Sequence, residues 1–140
     1  MRPFALGVFA AIAVGVVGTA LAQINLGEPR DDLNRFQGFY RADGAPEHRR
    51  WFVAEIDSLY GEPFPPGFLM IGAMWGDVAP WRMASSSDVV FVRPELNEWE
   101  PEIVVEFVLG DDGRALAYDI TYGDQPTERL MRIGDLPTDI

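Results

Sequence analysis

The chain has 140 residues, 48% of them hydrophobic, with 22 acidic residues against eleven basic ones and a formal net charge of −11 at pH 7. That length fits one domain, and so acidic a surface repels phosphate backbones and anionic lipid, which excludes nucleic acid as an expected partner. The absence of cysteine and lysine excludes disulfides, thiolate nucleophiles, Cys-based metal sites, a lipid-modified leader, Schiff-base chemistry and lysine-assisted serine catalysis.

Residues 1–22 read as a cleavable export signal. Arg2 supplies a positive start, Phe4 to Gly18 an apolar stretch, and Ala20-Leu21-Ala22 a small-x-small cleavage pattern, which predicts a mature start at Gln23. The apolar run falls short of the roughly 20 residues a bilayer span needs, so no stable membrane insertion is expected after cleavage. The predicted location is the bacterial periplasm or the medium. Residues 23–32 read as a polar lead-in, and 33–140 as the folded domain.

Pro29, Asp31, Asp32 and Gly38 bracket a short helical turn in which Leu33 and Phe36, three apart, face the core together. "GFYRA" follows as a strand ending at the Asp43-Gly44 turn. Residues 46–60 are ambiguous by pattern alone. Phe52, Ile56, Leu59 and Tyr60 have helical spacing, whereas "RWFVAEI" has the aromatic and β-branched make-up of a strand. "EPFPPGF" is expected to be irregular, because Pro63, Pro65 and Pro66 have no N–H for a ladder.

Short strand-like runs then succeed one another: "FLMIGAMW", "APWRMA", "VVFVRP", "EIVVEFVLG", "ALAYDITYG" and "ERLMRIG". In the fourth, Ile103, Val105, Phe107 and Leu109 share a face; in the fifth, Leu116, Tyr118, Ile120 and Tyr122 do. "GDDGR" joins these two as a hairpin. Many short strands with short connections predict a mainly β fold, an antiparallel up-and-down barrel with a short N-terminal helical turn.

The stretch "LNRFQGFYR" (Leu33 to Arg41) resembles the Leu–aromatic–Gly–x–Tyr opening of a lipocalin-like β domain. That domain is often appended to bacterial serine-β-lactamase-like hydrolases and also occurs alone in secreted proteins. "PWRMASSSDVVFV" (Pro80 to Val92), "VVEFVLGDDGRALAYDITYG" and "RLMRIGD" are similar to its later strands, so the likeness runs from Leu33 to Asp135. It implies that "RWFVAEI" is a strand. The Pro-rich "YGEPFPPGF" and the acidic "ELNEWEPE" depart from it. It implies no catalytic residue, since the chemistry of the multidomain relatives belongs to the attached hydrolase; fold alone does not give function in any case.

His48, the only histidine, lies among Pro46, Glu47, Arg49 and Arg50 and reads as a solvated loop residue. Ser58 and Ser85 to Ser87 lack a nucleophile-elbow surround. Glu95, Glu98, Glu100, Glu102 and Glu106 are close in sequence, but hydrolysis needs two carboxyls held about 5–10 Å apart across a groove, and no D-x-D-x-D-G cation loop is present. No catalytic residue, metal ligand or cofactor is therefore expected. Four tryptophans with Met70, Met74 and Met83 either plug the barrel or line an apolar pocket. If a pocket exists, Trp51, Trp75, Trp81, Met83 and Tyr118 are its expected lining, with Arg82 on the opposite face. The expectation is an exported, non-enzymatic barrel that binds a small apolar ligand or another exported protein. The alternatives are a carboxylate-based periplasmic hydrolase and a purely structural partner.

Overall fold

The computed structural model describes residues 28–55, 58–59, 62–63, 67–76 and 79–137. The expected export signal 1–22 and the first half of the expected lead-in, residues 23–27, lie outside the described residues. A 3-10 turn, η1 (Leu33–Arg35), precedes the strands β1 (Gly38–Ala42), β2 (Trp51–Glu55), β3 (Ser58–Leu59), β4 (Glu62–Pro63), β5 (Leu69–Ala73), β6 (Trp81–Ser85), β7 (Val90–Arg93), β8 (Ile103–Leu109), β9 (Ala115–Tyr122) and β10 (Glu128–Gly134). Eight of them close into an antiparallel barrel in the order β1-β10-β9-β8-β7-β6-β5-β2, while β3 and β4 pair only with each other. This is the up-and-down, lipocalin-like meander. Pairing β1 with β10 removes the free edges that an open sheet would expose. No helix among the described residues is long and apolar enough to cross a membrane.

Period-2 alternation sorts the side chains. In β8, Ile103, Val105 and Phe107 are buried and Glu106 is exposed. Across the ladders Phe107 stands opposite Tyr118, which stands opposite Leu130. On the other wall Val53 faces Ile71, and Leu69 faces Met83. All of these join Tyr40, Phe91, Leu33 and Phe36 in one buried cluster. Eight strands leave an interior just wide enough for such a filling, and each large side chain removed from water contributes about 1.5–3 kcal/mol.

Residues 51–55 form the strand that the resemblance implied: Trp51, Phe52 and Val53 pair with β1 on one side and β5 on the other. Three local expectations change. The run after Pro66 stops at Ala73, so Met74 and Trp75 sit in a bend before Gly76, whose φ of +76° suits glycine. Pro63 does enter a strand, but one of two residues paired only to β3. Leu116 does not share the inward face with Tyr118. A bulge between Val108 and Leu109 sets Leu109 opposite Ala115, so Ala115 is buried and Leu116 lies exposed against Gly110.

One end of the barrel is plugged. Leu33 and Phe36, on and just after η1, are both buried. The Phe36 ring meets Phe107 at 4.6 Å and Phe91 edge-on at 5.3 Å, and the Tyr40 hydroxyl donates to the Phe36 carbonyl at 2.6 Å. Arg30, from the expected lead-in, is part of this closure. Its guanidinium donates twice to Asp32 and also to Ser85 Oγ and the Ser87 and Asp88 carbonyls, and it stacks over Phe36 and Phe91.

Candidate functional site

The turns β1–β2, β5–β6, β7–β8 and β9–β10 all lie at the end opposite the plug, since the strands alternate in direction. Here the inward positions are Trp51, Trp81, Ile120 and Glu128, set by the pairs Trp51↔Ala73, Ile71↔Trp81 and Glu128↔Ile120. Together with Tyr118, Tyr122, Leu130 and the turn residues Gln125–Thr127 they enclose a pocket of about 550 Å³ that opens at this mouth.

One wall is a row of rings. Trp51 and Trp81 have centroids 5.3 Å apart, and Trp81 and Tyr122 are 6.1 Å apart. The facing wall is the β9–β10 turn and the start of β10. Tyr118 forms the floor, packed on Tyr40 at 4.9 Å and Phe107 at 5.6 Å. Burial pushes its hydroxyl well above the ordinary tyrosine range, with Tyr40 and Glu128 adding to the shift, so it stays protonated. The buried Tyr118 hydroxyl has no hydrogen-bond partner among the described residues, and a buried polar group in that state is open to one.

Among the described residues Glu128 is the one charged residue in the lining. Its neighbour Arg129 points to the outer face, where Nε and an Nη hold Asp119 at 2.7 and 2.9 Å. That pair keeps the Asp119 carboxyl below the ordinary range. Arg93 and Arg82 line a separate cleft of about 420 Å³ that shares Trp81 and Tyr122. Arg93 is buried, donates to the Pro101 carbonyl at 2.7 Å and lies 4.0 Å from Glu100.

Of the five residues expected to line a pocket, the fold brings Trp51, Trp81 and Tyr118 into it. Trp75 sits one layer out, edge-on to Trp51 at 5.2 Å and covered by the Arg49 guanidinium at 5.2 Å. Met83 is 1% exposed and fills the core beside Leu69. The fourth tryptophan, Trp99, is 80% exposed in the β7–β8 loop. So the tryptophans divide between a mouth and a surface; none joins the buried core. Ile120 and Tyr122 follow from Tyr118 by the same period-2 face. Gln125 to Glu128 carry no such signal, because only closure of β10 onto β1 swings them round opposite Trp51.

The catalytic candidates are dispersed. His48 is exposed in the β1–β2 turn at the mouth, whereas Ser85 is at the plugged end with its hydroxyl bonded by Arg30. Glu95, Glu98, Glu100, Glu102 and Glu106 are all exposed, and Glu100 accepts from Asn97. Among the described residues no three histidine, aspartate or glutamate side chains come together as a cation site. No protein-family model, curated protein or solved structure matches the chain.

Proposed function

We propose that this chain is an exported, non-enzymatic carrier of the lipocalin-like kind, whose mouth pocket holds a small, largely apolar molecule in the periplasm or medium. One observation carries the reading: a barrel filled and plugged at one end keeps a cavity of about 550 Å³ at the other, walled by Trp51, Trp81 and Tyr122. That size and apolar lining with a few polar groups is the usual make-up of a small-molecule site. Export is supported by Arg2, the Phe4–Gly18 stretch and Ala20-Leu21-Ala22. The non-enzymatic part is supported by the separation of His48 from Ser85 to opposite ends and by the outward spread of the glutamates.

Native mass spectrometry of the exported protein, with tryptophan fluorescence titrations of small ring compounds, tests this. The expected result is a chain starting at Gln23, extra mass that leaves on denaturation, and saturable quenching. A clean mass combined with no fluorescence change for any probe would contradict it.

A further inference from the structure

We propose that the mouth pocket selects an organic cation with a ring-bearing apolar body, the charge lodged between Glu128 and the aromatic wall. This rests on the carrier reading above and names the ligand class for the same site. Three features meet in one cavity. Trp51, Trp81 and Tyr122 form a contiguous aromatic wall, and ring faces attract cations through their quadrupoles. Glu128 is turned to the inner face by its pairing with Ile120, and it has no ion-pair partner among the described residues. Tyr118 offers at the floor a buried hydroxyl without a hydrogen-bond partner among the described residues.

Among the described residues no basic side chain lies in the lining. Arg129, adjacent to Glu128, is held on the outer face by Asp119. Arg93, on the inward face of β7, lines the neighbouring cleft that shares Trp81 and Tyr122; it donates to the Pro101 carbonyl and lies 4.0 Å from Glu100, and its Nε has no partner among the described residues. The protein already makes this kind of contact next door, where the Arg49 guanidinium covers Trp75. A cation entering the mouth replaces water around Glu128 with a paired charge and sets its apolar body on Trp51 and Trp81. An anion of the same shape meets Glu128 as a like charge, within a molecule of net charge −11.

The test compares three probes sharing one ring: benzyltrimethylammonium, neutral 2-phenylethanol and anionic phenylacetate, titrated by tryptophan fluorescence at low ionic strength. The cation is expected to bind about tenfold more tightly than the alcohol, with the anion weakest. Glu128→Gln is expected to remove most of that preference while leaving the alcohol's affinity within about twofold. Glu106→Gln removes the same charge from the exposed outer face of β8 and is expected to preserve the preference. Equal binding of all three probes overturns the cation selectivity and leaves the carrier reading standing. A preference that survives Glu128→Gln overturns the site assignment, because the net field of the molecule then explains it. Binding by none of the probes removes the carrier reading and this inference together.

Discussion

The two ends of the barrel use similar residues in opposite ways. At the closed end an aromatic ring is driven inward: Phe36 sits against Phe91 and Phe107, with Arg30 and Arg35 stacked on it. The Arg30 guanidinium is saturated by Asp32, Ser85, Ser87 and Asp88. At the open end Trp51, Trp81 and Tyr122 line one wall, with Trp51 also edge-on to Trp75, and the Tyr118 hydroxyl and Glu128 carboxylate have no hydrogen-bond or ion-pair partner among the described residues. The closed end packs Phe36 into the core and engages Arg30 fully, while Arg35 Nε is buried without a hydrogen-bond partner among the described residues. An open end leaves apolar surface and polar groups for something else to satisfy.

Emptying the plug breaks the comparison most severely. Phe36→Ala removes a fully buried ring and leaves a cavity, so urea unfolding is expected to show a loss of about 3–5 kcal/mol. Gly38→Ala strikes the same end. A Cβ there would stand 2.8 Å from the Gly134 carbonyl oxygen and 2.7 Å from Arg132 Nε, in a backbone with φ of +154°. A loss of about 1–3 kcal/mol is expected, read as a lowered urea midpoint with an unchanged slope.

Trp81→Ala sharpens the contrast from the other side. The residue is half-buried at the mouth, so the stability loss is expected to be only about 1–2 kcal/mol, while binding of ring probes falls by about tenfold or more. A mutant melting far below wild type with unaltered binding would reverse the roles assigned to the two ends.

The smallest effect is in acid. Hydrogen bonds from Arg30, and the nearby Arg30 and Arg35 charges, hold the Asp32 carboxyl below the ordinary carboxylate range. A pKa depressed in the folded state means the unfolded chain takes up the proton first as pH falls. The contribution is therefore complete above about pH 4, the ordinary aspartate value, and disappears as pH drops through the lowered one. Asp32→Asn is expected to flatten that acid limb of the stability curve. An unchanged limb would show that the pair is too solvated to matter.

The plugged end was far more legible in the sequence than the mouth. Leu33 and Phe36, three apart in a Pro- and Asp-initiated turn, declare a shared inward face by local spacing, and the β8 and β9 alternation declares the filling behind them. The exception is Leu116, whose pattern is broken by a bulge that alternation cannot show. The role of Arg30 was also hidden, because its partners Ser85, Ser87 and Asp88 are more than fifty residues away. The mouth depends on such distant pairings throughout. Trp51 and Trp81 meet only because β2 and β6 flank β5, and Glu128 faces them only because β10 closes the ring. Met83 and Trp75, equally apolar by composition, were assigned by strand register and by a bend, one inside the core and the other outside the pocket.

The most direct measurement follows the four tryptophan indole N–H resonances by NMR while 2-phenylethanol is titrated in. Saturable shifts are expected at Trp51 and Trp81, with a smaller response at Trp75 and none at Trp99. Shifts centred on Trp99 or on the amides around Phe36, with Trp51 and Trp81 unmoved, would contradict a binding pocket at the barrel mouth.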